Sequence, residues 1–153
     1  MWKPVFFLLL AGLPLASLPV SAAPSPADTL KEKKAIAQTQ HELMVMLIQK
    51  GEYSRIPDEL QKVLDLNFSG PYEKYVTDEI LILSNLLSRK KQPEMCLKVL
   101  DMGLANLKET GSRARLYKEK GAIYKLMNQP DKALEMFQKG LELEKASGGK
   151  SSG

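Results

Sequence analysis

His41 and Cys96 are the single histidine and the single cysteine of the 153-residue chain, and together they bound its chemistry. One thiol cannot form a disulfide within the chain. A Cys/His zinc site would lack ligands, and a Ser-His-Asp or Cys-His mechanism has only His41 to use. No Asp, Glu or Cys is placed along the sequence to make a ligand or general base of His41, which therefore reads as a partly exposed helix residue. Met44, Met46 and Met127 lack the clustered spacing of a methionine metal motif and read as core filler. Lys31-Glu32-Lys33-Lys34 and Arg89-Lys90-Lys91 are short basic patches. The formal net charge of +4 is too small to imply nucleic acid, whereas anionic polymer or lipid head groups stay open as contacts. The chemistry-bearing residues thus predict a protein that is not an enzyme and uses neither metal nor cofactor.

The N-terminus reads as an export signal. Met1 to Lys3 is a short basic start, Val5 to Leu18 a mostly apolar run, and Val20-Ser21-Ala22 supplies the small residues of a cleavage site. Cleavage after Ala22 is preferred, because a cut after Ala23 sets Pro24 against the scissile bond. The competing reading is a retained anchor, but Pro14 and Pro19 interrupt the run, which falls short of the roughly 20 residues that span a bilayer. A periplasmic or secreted location is expected. In such an oxidising compartment Cys96, flanked by Met95, Leu97, Val99 and Leu100, reads as a buried small hydrophobe.

With 44% hydrophobic and 26% charged residues, the remainder can bury one core. Residues 23–28 read as a flexible extended leader, 29–145 as a helical domain and 146–153 as a flexible tail. Nothing in the domain reads as a strand. Apolar residues recur at three- and four-residue spacing: Leu43, Met44, Leu47 and Ile48; Ile80, Leu83, Leu86 and Leu87; Leu116, Tyr117, Ile123, Tyr124 and Met127. A shorter helical run follows each. Lys50-Gly51, Lys91-Gln92-Pro93 and Asn128-Gln129-Pro130 end the first helix of each pair. Asn67 to Pro71 and Thr110-Gly111-Ser112 separate the pairs. Pro57 is tolerable only in a first turn, so its helix begins near Ile56 or bends close to its start. The sum is six helices in three hairpins, about 29–67, 72–109 and 112–145.

The hairpins are also self-similar. Arg115 to Leu141 superimposes without a gap on Asp78 to Leu104, setting Tyr117 on Ile80, Gly121 on Ser84, Tyr124 on Leu87, Ala133 on Cys96, Phe137 on Leu100 and Gly140 on Gly103. Over about 34 residues from Ala114, this chain resembles the tetratricopeptide repeat family, with Tyr117, Gly121, Tyr124, Ala133 and Phe137 at the motif positions. The middle unit keeps the size pattern and the first is degenerate. The resemblance implies an all-α fold, a short right-handed solenoid of antiparallel helix hairpins. Gly121 and Ala133 are expected to let paired helices approach closely, and Tyr124 and Phe137 to fill the space between that hairpin and its neighbour. The last helix has no polar cap helix after it, so a partner or a second copy is expected to cover it.

The resemblance also places function on the concave surface lined by the first helix of each hairpin. It puts Asn85 and Arg89 there from the second unit and Arg115, Lys118 and Lys125 from the third. An acidic or carboxylate-bearing peptide suits these mostly basic side chains, with Asn85 bonding its backbone. Asn85 and Lys118 match positions of the family's carboxylate clamp, but Val45 and Ala122 stand where that clamp needs polar or basic groups. The expectation is a protein-binding adaptor or scaffold of the bacterial cell envelope. The alternatives are an accessory subunit regulating an envelope enzyme and a homo-oligomeric structural protein.

Overall fold

A computed structural model describes residues 25–148, so the export signal and the end of the tail lie outside the described residues. Six helices follow one another: α1 (Pro26–Lys50), α2 (Ile56–Leu64), α3 (Glu73–Arg89), α4 (Pro93–Asn106), α5 (Thr110–Leu126) and α6 (Pro130–Gly148). Short 3-10 turns at Tyr53–Arg55 and Gly70–Tyr72 lead into α2 and α3, and no strand occurs among the described residues. The protein is an all-α helical repeat.

The three hairpin bends are the same device built from different residues. Gly51, Lys91 and Asn128 each adopt a left-handed conformation, with φ of 78°, 57° and 57°. The next residue then turns its N–H back onto the helix: Glu52 to Leu47 O, Gln92 to Leu87 O and Gln129 to Tyr124 O, at 2.9, 3.0 and 2.9 Å. Carbonyls that the helix end would orphan are satisfied in this way. Pro93 and Pro130 then open α4 and α6, where a missing N–H costs nothing. Pro57 sits in the first turn of α2 for the same reason.

Three boundaries differ from the sequence reading. Residues 26–28 are not an extended leader. Ser25 caps α1 by accepting from the Asp28 N–H, Pro26 opens the helix and Asp28 favours its positive end, so α1 reaches 25 residues. Thr110-Gly111-Ser112 is not a separator but the first turn of α5, because the Glu109 carboxylate accepts from the N–H groups of Gly111 and Ser112 at 2.9 and 2.5 Å. The same hydrogen bonds hold the Glu109 carboxyl below its ordinary range. Helix α6 extends through residues 146–148, assigned above to the tail.

Packing follows the order of the chain. Within each hairpin the two helices touch, α3 rests on α1, α4 on α2, and α5 on both α3 and α4. One continuous core results, with Met44, Leu47, Ile56 and Leu60 from the first hairpin, Ile80, Leu83, Leu87 and Leu100 from the second, and Leu116 and Ile123 from α5. Two polar ties lock the third hairpin to this core. The buried Glu73 carboxylate accepts from the N–H groups of Lys108 and Glu109 at 2.9 and 2.8 Å. Arg113 donates to the carbonyls of Leu104 and Leu107 at the end of α4. No helix among the described residues is long and apolar enough to cross a membrane.

Candidate interaction surface

The motif positions show how the hairpins close. In the second, Ser84 and Cys96 are fully buried where α3 meets α4, and the Cys96 thiol donates to Ser84 O at 3.2 Å. Burial pushes this thiol up to about 11, so it is a packing group rather than a nucleophile. Ser84 in turn donates to Glu119 of α5 at 2.9 Å. Gly103 lets Ile80 and Leu116 approach so closely that an added Cβ would lie 2.6 and 2.7 Å from their end carbons. In the third hairpin, Gly121 lies under the Phe137 ring, and Gly140 lies on the Lys118 stem and the Ala114 carbonyl. These two glycines and buried Ala133 bring α5 and α6 close together.

Tyr124 and Phe137 do not fill a gap between hairpins. Tyr124 is half-buried, with the Lys120 and Lys132 ammonium groups 5.9 and 5.5 Å from its ring centre. Phe137 crosses its own hairpin onto Gly121 and remains 38% exposed. The reason is positional: in the middle unit the matching Leu87 and Leu100 belong to the continuous core of helices on which α5 packs, and the third hairpin has no following helix among the described residues. Tyr117 is likewise half-buried, beside the Arg113 guanidinium.

The first helices lie side by side, α3 between α1 and α5, and two cavities open between them. One of about 510 Å³ lies between α3 and α5, lined by Asp78, Leu81, Ile82, Asn85, Leu86 and Arg115. The other, of about 330 Å³, lies between α1 and α3 and also reaches Ile82. The expected binding residues divide here. Asn85 is exposed on the wall of the larger cavity. Arg115 lines the same cavity but is bound to Asp78 at 2.8 Å, tying α5 to α3. Lys118 lies along Gly140 and reaches Glu144 of α6, away from Asn85. Arg89 and Lys125 are exposed in the last turns of α3 and α5. The face is thus less basic than its residue list, since two of its cations already have carboxylate partners.

His41 is a partly exposed residue of α1, as the sequence suggests, but it does have an acidic neighbour. Its Nδ1 lies 2.9 and 2.8 Å from the two carboxylate oxygens of Glu79, across the gap between α1 and α3. With Glu79 ionised its carboxylate only accepts, and Nδ1 is then the donor. Burial raises the Glu79 pKa, and the His41 contact offsets this only in part. The pair was hidden because it joins residues 38 positions apart, in a unit too degenerate to align securely. Among the described residues, no group of three or more His, Cys, Asp or Glu is placed to hold a metal ion.

Residues 114–146 match the family model for the tetratricopeptide repeat. This stretch covers α5 from Ala114 onward and nearly all of α6, the hairpin with the small-residue contacts. No curated protein matches the chain.

Proposed function

We propose that this chain, whose residues 114–146 match the tetratricopeptide repeat, a repeat characteristic of protein-interaction modules, is a non-catalytic adaptor of the bacterial cell envelope that holds a partner segment on its concave face. The observation carrying this reading is the continuous α1–α3–α5 surface, where exposed Ile82 separates two cavities and the exposed Asn85 amide can pair with an extended backbone. An apolar side chain fits the larger cavity between α3 and α5, and a carboxylate on the segment suits Arg89 and Lys125 better than the already paired Arg115 and Lys118. The envelope location is supported by the basic start, apolar run and small residues of Met1 to Ala22. Photocrosslinking in intact cells from probes at Ile82 and Asn85 tests the surface. A specific protein partner is expected there and not from a probe at Lys98 on α4. Capture from Lys98 alone refutes the assignment, and N-terminal sequencing that finds residues 1–22 retained refutes cleavage after Ala22.

A second reading rests on α6. Leu134, Phe137 and Leu141 are 59%, 38% and 50% exposed and share one helical face, which self-association through the open end would cover. Sedimentation should then show concentration-dependent assembly that Leu134→Lys with Leu141→Lys abolishes. A monomer at all concentrations removes this reading.

A further inference from the structure

The smaller cavity has a wall chemistry that a protein-binding groove does not require. Two polar rungs cross between α1 and α3: Lys34 to Tyr75, with Nζ 2.8 Å from the phenol oxygen, and His41 to Glu79. Lys34 and His41 are about 10 Å apart along α1 at 1.5 Å per residue, and the space between the rungs is floored by buried Val63, Phe68 and Val76.

The rungs leave different hydrogen-bonding capacity. At one end Glu79 is occupied by the imidazole. At the other, Tyr75 oxygen accepts from Lys34, which frees the phenol proton to donate, and Lys34 keeps two further N–H groups. The ammonium also lies 4.2 Å from the Tyr75 ring centre, and no carboxylate pairs with it among the described residues. A half-buried cation and a hydroxyl donor beside an apolar floor match a ligand with one anionic acceptor and an apolar body. The volume of about 330 Å³ is at the small end of ligand cavities. We propose that the cavity between α1 and α3 is a binding site for a small free monocarboxylic acid with an aliphatic or aromatic body, its carboxylate held by Lys34 and Tyr75. This goes beyond the proposed protein partner and does not depend on it.

The test is an NMR titration of the full-length chain with hexanoate, using hexan-1-ol as the neutral comparison. Hexanoate should give saturable shifts confined to amides of residues 34–41, 63–68 and 75–82, at least about tenfold tighter than the alcohol. Lys34→Met, which keeps the apolar stem, should abolish that preference, and Tyr75→Phe should weaken hexanoate severalfold. Ala37→Leu, which fills the cavity and leaves every polar group, should remove binding of both compounds. Unchanged amide positions in α5 and α6 show that each variant is folded. Equal affinity for acid and alcohol, no saturable shifts, or wild-type binding by Lys34→Met overturns the proposal. Preference for a short peptide with a free C-terminal carboxylate over hexanoate at the same amides overturns the free-acid assignment. Loss of the concave crosslink at Asn85 without loss of hexanoate binding separates failure of the protein-binding reading from failure of this one.

Discussion

The second and third hairpins set related residues at the same positions, yet one is sealed and the other is open. Ile80, Ser84, Leu87, Cys96 and Leu100 are all fully buried. Of their counterparts, Gly121 and Ala133 are buried, Tyr117 and Tyr124 are half-buried, and Phe137 is exposed. Small residues make the contact within a hairpin and need no neighbour. Large residues at the alternate positions need the next hairpin to bury them, and α6 packs chiefly on α5 while contributing nothing to the continuous core. The repeat therefore encodes helix pairing locally and burial only through stacking.

Leu100→Ala against Phe137→Ala tests this contrast most strongly. The first should cost about 2–5 kcal/mol in denaturant unfolding, since it leaves a cavity in a sealed site, and the second less than about 2 kcal/mol. Equal losses would mean that the outer face is covered in solution. Ala133→Leu should cost about 1–3 kcal/mol by forcing α5 from α6, and its effect should be confined to the third hairpin in amide exchange. A smaller separation is expected between Gly103→Ala and Gly121→Ala. Each gains about 1 kcal/mol of helix propensity. At Gly103 the new methyl meets Ile80 and Leu116 in the sealed core, so the net effect should be a loss; at Gly121 it meets the ring of Phe137, which can move outward, so the net effect should be near zero.

The smallest effect is on pH dependence, and it has opposite signs in covered and open regions. Glu79 has a raised pKa because α1 covers it, so the native state holds its proton more tightly than the unfolded chain. Its contribution is fully present below the ordinary carboxylate range and is lost as pH rises through the raised value. Glu109 has a lowered pKa from the backbone donors at the start of α5, so its contribution is present above the ordinary range and is lost as pH falls. Unfolding midpoints between about pH 3 and 7 should show Glu79→Gln flattening the loss on raising pH and Glu109→Gln the loss on acidification. The same slope change in both variants would contradict the assignment.

Helix pairing was legible in the sequence because it depends on local signals. Pro93, Pro130, Gly51 and the three- to four-residue periodicity each act within one turn, and the closeness of α5 to α6 follows from Gly121 and Ala133. The hidden features depend on what a neighbouring helix presents. Lys118 and Arg115 read as groove cations until Glu144 and Asp78 appear beside them, and His41 reads as isolated until α3 brings Glu79 across. The early start of α1 is hidden for another reason. Ser25-Pro26 reads as part of an extended leader, although the same residues, followed by Asp28, are also a helix start.

The Glu73 carboxylate binds two amides of the short connection between α4 and α5, and this has a consequence for the order in which the molecule opens. Connecting segments ordinarily exchange their amide hydrogens with solvent at little free-energy cost. The N–H groups of Lys108 and Glu109 must instead wait until Glu73 withdraws, and it sits in the first turn of α3. Their exchange lifetimes therefore clock the unlocking of the second hairpin from the third, giving a loop that reports on the core.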